Sequence, residues 1–354
     1  MRYQNVYIES MGQYLPETST TSLYLEDQLK DLYDRLKIHP GRIELMTGIW
    51  ERRLWPSSTR PSDLAFKAIQ DIYDEDANND ASVDLSQVDL LIHASVCRDF
   101  LEPATATVVA DKLKLKNGAQ CFDLSNACLG AIQATCLAAS LIESGQIKNA
   151  LIVTGENAGP LVESTLQLLK TNSQIDRREL KKYFANLTLG SGATALYLVA
   201  EKMAKNPWAK LEASFFMNDV SSNHLFRGDG NIHQLSMQTD SEKLLEMGLL
   251  LGKQSLPPFF KIWERDQKNI DVVLTHQVGK AHEELSLKTF ELNSLITHRT
   301  YPFLGNTGSS ALPLTMIDAY QKNVLKQNQS VLLLGIGSGL VNQNVGLKWL
   351  RNAP

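Results

Sequence analysis

The chain is expected to fold as an α/β protein whose plan is laid down twice. Three observations predict this. Short apolar, strand-like runs alternate with segments of helical spacing along the chain. One helical segment, Cys128–Ile142 (CLGAIQATCLAASLI), is nearly free of charge on every side, which places it at the centre of the molecule rather than on its surface. Segments of the first half also have counterparts in the second. QVDLLIHASV from Gln87 aligns with NIDVVLTHQV from Asn269, each a polar start, an Asp and an apolar strand. CFDLSNACLGAIQAT from Cys121 aligns without a gap with YPFLGNTGSSALPLT from Tyr301, so Asn126 falls on Asn306 and Cys128 on Gly308. LIVTGENAG and LLLGIGSGL each end a strand in a glycine-containing loop. A duplication is the expectation, with halves 1–205 and 206–354 and a seam near Lys202–Lys210, where AKNPWAK is polar with a proline.

Taken in order, Val6–Ser10 reads as a strand. Ser22–Ile38 reads as a helix, with Leu25, Leu29, Leu32 and Leu36 at helical spacing. Pro56–Pro61 is a turn-rich break. Pro61–Tyr73 is helical with Asp63 in its first turn, where the helix dipole favours an anion. Val88–Val96 is a buried strand, Ala104–Leu115 a helix opening just after Pro103, and Ala119–Leu124 a strand. Cys128–Ile142 and the strand Ala150–Gly155 follow. In the second half Val272–His276, Val331–Ile336 and Asn344–Leu350 read as strands, and Lys280–Leu292 and Ser309–Lys322 as helices.

Composition narrows the function. The 354 residues are 43% hydrophobic and 21% charged, ordinary for a globular chain with a sizeable core. The net charge of -4 offers no basic field for nucleic acid. No apolar stretch approaches the roughly 20 residues of a membrane span. MRYQNVYIES lacks the basic-then-apolar pattern of a secretory leader, so a cytoplasmic location with reduced thiols is expected. The four cysteines, Cys97, Cys121, Cys128 and Cys136, form no CxxC pair and no zinc pattern, so no metal is expected.

Cys128 is the first chemical candidate. It stands where a strand gives way to the apolar helix. A thiol at a helix N-terminus feels the positive end of the dipole, and its pKa is expected to fall below the free value of roughly 8.5. Free backbone N–H groups there can receive a thioester oxygen. The alternative is a buried structural cysteine; the N-A-C-L-G context, with small Ala127 and Gly130 beside the sulfur, favours a nucleophile. His276 ends a strand in THQVGKAH, and Asn306 lies in LGNTGSSALP, a glycine-flanked turn before a helix. Both are expected at the sheet end that presents Cys128, where their side chains can stabilise an enolate or oxyanion. His93, His224, His233, His282 and His298 lack such context and are read as structural. GIGSGL (Gly335–Leu340) reads as a tight turn whose backbone N–H near Ser338 joins that of Cys128 in an oxyanion hole; a phosphate-binding loop is the competing reading. Glu102, in RDFLEPATA, is either an exposed loop carboxylate or a general base.

As an ordered set, TGIWERR (Thr47–Arg53), NACLG, THQV, GNTG and GIGSGL resemble the ketoacyl synthase III branch of the thiolase superfamily, over essentially the whole chain. TGIWERRLWP, VCRDFLEPATA, DLSNACLG, LGNTGSSALP and LGIGSGL are most similar to its OleA-type enzymes of olefin biosynthesis. The resemblance implies two duplicated βαβαβαββ halves in a five-layered α-β-α-β-α arrangement. It implies a homodimer that joins two fatty acyl thioesters by Claisen condensation through an acyl-Cys128 intermediate. Glu102 of the neighbouring subunit would remove the α-proton, and His276 and Asn306 would steady the enolate. The resemblance also marks Arg42, Arg52, Gly305 and Gly337 as substrate-contacting positions. Acyl-CoA is the implied substrate, with acyl carrier protein as an alternative donor and no cofactor. Many members of the branch carry a Trp and an Arg shortly before the TGI segment, where this chain has Arg42 and Met46; that departure fits a different CoA pose or a carrier-protein donor. Two other readings remain: a decarboxylating 3-oxoacyl synthase III using an acyl-CoA primer and malonyl-acyl carrier protein, and a non-catalytic subunit of an acyl-transfer complex.

Overall fold

The computed structural model describes residues 1–78, 84–231 and 234–353; His233 lies outside them. The N-terminal part opens with β1 (Val6–Tyr14) and an insertion of β2 (Ser19–Thr21), α1 (Ser22–Asp27), α2 (Lys30–Leu36), α3 (Arg42–Thr47) and β3 (Glu51–Arg53). It continues through α4 (Pro61–Asn78), β4 (Leu90–His93), α5 (Thr105–Leu113), β5 (Gln120–Asp123), α6 (Gly130–Glu143), β6 (Asn149–Glu156), α7 (Gly159–Thr171), α8 (Arg177–Tyr183) and β7 (Gly192–Ala200). The C-terminal part runs β8 (Ala209–Asn218), β9 (Phe226–Asn231), β10 (Gln234–Thr239), α9 (Ser241–Trp263), β11 (Val272–Thr275), α10 (Lys280–Thr289) and β12 (Ile296–Thr297). It ends with α11 (Tyr301–Leu304), α12 (Ala311–Gln321), β13 (Ser330–Gly337) and β14 (Val341–Trp349).

Ten strands pair in the order β12-β11-β13-β14-β8-β1-β7-β6-β4-β5. The five strands on either side of the β8–β1 junction follow one plan. In one group β4 runs parallel to β5 and β6, while β7 is antiparallel to β6 and β1. In the other β11 runs parallel to β12 and β13, while β14 is antiparallel to β13 and β8. The groups pair across the junction through Tyr7↔Lys210 and Ile8↔Ala209.

Side-chain alternation along the strands builds the layers. Leu90 and Ile92 of β4 enter the same core as Val272 and Leu274 of β11, together with α6 and α12. Leu91, one residue out of phase, faces α4 and α5. Val273 likewise faces α9 and α10. A strand exposes successive side chains on opposite faces, so this pattern gives helices, strands, central helices, strands and helices in succession. That is the five-layered α-β-α-β-α arrangement expected of a thiolase-like fold. α6 and α12 form the middle layer, which explains why neither carries a charged face toward its neighbours.

α4 crosses β1 closely at Gly12, where a Cβ would lie 2.2 Å from the Ala68 carbonyl oxygen. Backbone cannot yield there as a flexible side-chain tip would. Gly12→Ala is therefore expected to destabilise the chain by about 1–3 kcal/mol, read as a lowered denaturation midpoint at unchanged slope. An unchanged midpoint would show that α4 lifts freely.

Two expectations require correction. The helix over 22–38 is two short helices. Thr21 caps α1, its Oγ1 accepting from the Tyr24 N–H. Glu26 is buried and accepts N–H groups of Gly41 and Ile43, so its side chain serves the start of α3 rather than a continuous helix. The helix expected from Cys128 begins at Gly130 instead, for a reason that bears on the site.

Candidate active site

The C-terminal ends of the parallel strands gather the chemical groups. Cys128 follows β5, Glu156 ends β6, His276 follows β11 and Ser338 follows β13. Ala127 adopts a left-handed conformation, φ 46°, which an L-residue takes only under constraint. The chain therefore turns before it coils: Leu129 and Gly130 N–H groups donate to the Asn126 and Ala127 carbonyls, and Cys128 sits in that turn. The turn is held from below. Ser309 Oγ accepts from the Ala131 N–H at 2.7 Å and donates to the Ala94 carbonyl. Leu129 packs against Gly335 and Gly337; a Cβ on Gly337 would meet Leu129 Cγ at 3.0 Å. Gly337 thus gives room to the Leu129 side chain.

GIGSGL is a hairpin turn between antiparallel β13 and β14, with Gly339 and Leu340 at positive φ. No helix follows it, so the phosphate-loop reading falls away. Ser338 lies in this turn, one residue beyond the glycine that seats Leu129.

The Asn306 side chain lies on the Cys128 side of the site, where its amide acts to lower the thiol pKa. Its Oδ1 accepts from the Gly308 N–H at 3.1 Å, which leaves the amide NH2 for the sulfur. Its backbone is pinned to Thr188 and Gly190. Gly305, φ 69°, makes this possible: a Cβ there would stand 2.7 Å from the Thr188 carbonyl oxygen. Gly305 accordingly shapes the Asn306 loop against backbone.

His276 is buried and its backbone N–H donates to the Leu334 carbonyl, tying it to β13. Neither ring nitrogen has a protein hydrogen-bond partner. Burial, with His282 nearby, pushes its pKa down to about 3, so the imidazole is neutral and can donate one hydrogen bond to an incoming oxygen. The neighbouring Gln277 accepts the Thr300 and Tyr301 N–H groups on Oε1 and so connects His276 to the Asn306 loop.

The thiol of Cys128 does not behave as the dipole argument predicted. Burial of the sulfur and the nearby Glu156 carboxylate push its pKa up to about 12, against the lowering effects of its own N–H and Asn306. Desolvation and a like charge outweigh the helix terminus, which starts two residues later than expected. Cys128 at rest is a protonated thiol.

Glu156 is the residue that sequence reasoning missed. It accepts N–H groups from Val96 at 2.9 Å, Cys97 at 3.3 Å and Ser309 at 3.2 Å. The available signal was a lone carboxylate closing the otherwise apolar run of LIVTGENAG.

Glu102 is exposed on the loop between β4 and α5, with Leu101 beside it 92% exposed. Asp99 anchors that loop through Ser62, and Glu156 grips its first residues. Arg42 lies at the start of α3, on the same short helix as exposed Met46. Arg52 is fully buried and donates to the Thr20 and Leu187 carbonyls. Its guanidinium holds β2 and the 184–188 turn.

Comparison with known proteins agrees with this geometry. Residues 122–215 match the model of 3-oxoacyl-[acyl-carrier-protein] synthase III, and residues 264–349 match its C-terminal model. Acyl-CoA:acyl-CoA alkyltransferase of Shewanella oneidensis is 31% identical over 358 residues, covering 99% of this chain and 100% of that protein. A structure of Xanthomonas campestris OleA with bound lauric acid and lauroyl-CoA superposes with a TM-score of 0.88 at 29% identity, covering 98% of this chain and 100% of the other. The 3-oxoacyl synthase III FabH of Xanthomonas oryzae gives 0.90 at 30% identity, covering 99% and 100%. Among the described residues no helix is long and apolar enough to cross a membrane. The chain belongs to the ketoacyl synthase III-like thiolase superfamily, alongside the OleA-type alkyltransferases, and is an acyltransferase of the condensing type.

Proposed function

We propose that this enzyme joins two fatty acyl-CoA thioesters without decarboxylation, through an acyl-Cys128 intermediate. The observation that carries the reading is buried His276, both ring nitrogens unpartnered, at the sheet end that also presents Cys128. Cys128 Sγ attacks the first thioester carbonyl, its proton leaves with the sulfur of CoA, and an S-acyl bond replaces the acyl–CoA bond. The partner subunit's Glu102 takes the α-proton of a second acyl-CoA, and His276 and Asn306 steady the enolate oxygen. The α-carbon attacks the Cys128 thioester, whose oxyanion rests on the N–H groups of Cys128 and Ser338. Collapse releases a 2-alkyl-3-ketoacyl-CoA and returns the cysteine sulfur, which regains a proton.

A homodimer is part of this reading. β5 is an edge strand of the ten-stranded sheet, and the loop that follows its neighbour β4 exposes Val96, Phe100 and Leu101. Such a row of apolar side chains next to an unpaired edge suits a second copy of the chain. Arg42 is the candidate contact for the CoA phosphates, and a carrier protein is the alternative donor. The halves 1–205 and 206–354 each contribute one five-strand group, the first bringing Cys128 and the second His276 and Asn306.

Incubation with myristoyl-CoA alone tests the reading. Mass spectrometry is expected to find the 2-alkyl-3-ketoacyl-CoA built from two myristoyl chains, or the β-keto acid and ketone left when its thioester is hydrolysed by water and then loses CO2. CoA release that stops at acylated Cys128, with turnover only after malonyl-acyl carrier protein is added, would transfer the enzyme to the decarboxylating 3-oxoacyl synthase III class.

A further inference from the structure

The side chain of Gln277 spans the two segments assigned to the enolate. It is buried directly after His276. Its Oε1 accepts the N–H groups of Thr300 at 2.8 Å and Tyr301 at 3.1 Å. These stand at the start of α11, where backbone N–H groups have no acceptor within the helix. Its Nε2 donates to the Thr275 carbonyl at 2.7 Å, at the end of β11. One amide therefore fastens β11 to α11, and all four residues involved are buried. α11 leads straight into the Asn306 loop: the Tyr301 carbonyl accepts the Gly305 N–H, and Asn306 follows. On the other side His276 is tied to β13 through its backbone N–H on the Leu334 carbonyl.

Resting on the acyl-Cys128 reading, we propose that Gln277 is a positioning residue that holds His276 and Asn306 at the separation one enolate oxygen requires. It acts through those two residues rather than on the substrate. Two donors stabilise one oxygen only when both point at it, and a misplacement of about 1 Å can cost about 10²-fold in rate. Neither ring nitrogen of His276 has a protein partner, so its backbone sets its place, and the next residue along that backbone is Gln277. Asn306 is pinned on one side by Thr188 and Gly190. Its other side is α11, which Gln277 holds. Loss of the amide would loosen α11 without detaching it. The Tyr301 hydroxyl still donates to Glu283 Oε2 at 3.2 Å, and the Pro302 carbonyl still accepts the Trp50 N–H. Acylation makes no use of the His276–Asn306 pair, because its oxyanion is assigned to the N–H groups of Cys128 and Ser338. Gln277 therefore acts on condensation alone.

The test measures the two stages separately in the wild-type chain, in Gln277→Leu and in Gln277→Glu. Acyl-enzyme is read by intact mass after myristoyl-CoA is added, and condensed product is counted per acyl-enzyme. Leu fills the space and removes all three hydrogen bonds, so acylation is expected within about twofold of wild type and condensation about 10²-fold slower. A protonated Glu can accept from Thr300 and Tyr301 with one oxygen and donate to Thr275 through the other, so it is expected to recover most of the lost rate. The proposal is overturned by wild-type condensation in Gln277→Leu, by equal loss of both stages, or by a Gln277→Glu chain no faster than Gln277→Leu. Should the leucine chain fail to fold, Gln277→Asn, whose amide is one methylene too short to span β11 and α11, decides by the same two rates. Condensation is scored with myristoyl-CoA alone and again with malonyl-acyl carrier protein added, since either chemistry forms an enolate. The wild-type chain shows which condensation the enzyme performs, and the ratio of variant to wild type tests Gln277, so the failure of one is visible apart from the failure of the other.

Discussion

Cys128→Ala is expected to eliminate both acyl-enzyme and condensed product, with a loss on the order of 10⁴-fold or more, as for other nucleophiles that act as part of a set. The fold should survive. Cys128 is half-buried in a turn whose shape is imposed by Ala127, Leu129 and the Ser309 clamp rather than by the thiol. Intact mass after incubation with myristoyl-CoA gives the first reading: one acyl group per wild-type chain, none on the variant. The other cysteines are engaged elsewhere. The Cys97 thiol donates to the Asn157 carbonyl at 3.4 Å. Cys136 is buried in the middle layer, where Gln343 donates to its sulfur. Cys121 lies on β5, before the turn that carries the site. An acyl adduct that persists on the Cys128→Ala chain would place the nucleophile elsewhere and remove the basis for roles at Asn306 and His276.

Much of this site was legible in the chain because its signals were local. NACLG announced a cysteine at the head of a charge-free helix, and that helix is indeed in the middle layer. The aligned segments from Gln87 and Asn269 became β4 and β11, which occupy equivalent positions in their strand groups. What was hidden depended on contacts distant in sequence. The pKa of Cys128 turned on Glu156, 28 positions away, and on burial of the sulfur by loops that no local pattern locates. Gly305, Gly337 and Arg52 were singled out as substrate positions from their motifs alone. Each meets protein: Gly305 the Thr188 carbonyl, Gly337 the Leu129 side chain, and Arg52 two backbone carbonyls. A motif marks where a side chain is constrained; it does not say whether the constraint comes from ligand or from chain. α9 was obscured in another way. Pro257 and Pro258 lie within its 23 residues, where proline normally ends a helix. Buried Leu251, Leu256, Phe259 and Trp263 show what offsets that cost, because the helix packs along β8 and β14 through them.

Glu102→Gln is expected to separate the two chemical stages. Acylation uses Cys128 and the groups around it, so the burst of CoA equal to one acyl group per chain should remain. Condensation needs the α-proton removed, and loss of a positioned general base should slow it by about 10²–10⁴-fold. A malonyl-dependent enzyme would be spared, since decarboxylation supplies its own carbanion. The exposed position of Glu102 on its own chain gives the second stage of the test. If the base acts across the dimer, co-refolded Cys128→Ala and Glu102→Gln chains rebuild one complete site per mixed dimer. In that site Cys128 belongs to the chain carrying the Glu102→Gln change, and it faces the partner subunit's Glu102. Random mixing makes half the dimers mixed, each with one working site of two, so activity should return to about a quarter of wild type. Recovery near that level would place the base on the partner. Mixed chains as inactive as either parent would mean that Glu102 acts within its own subunit or not at all, and the exposed Val96–Leu101 loop would then need another reason to be where it is.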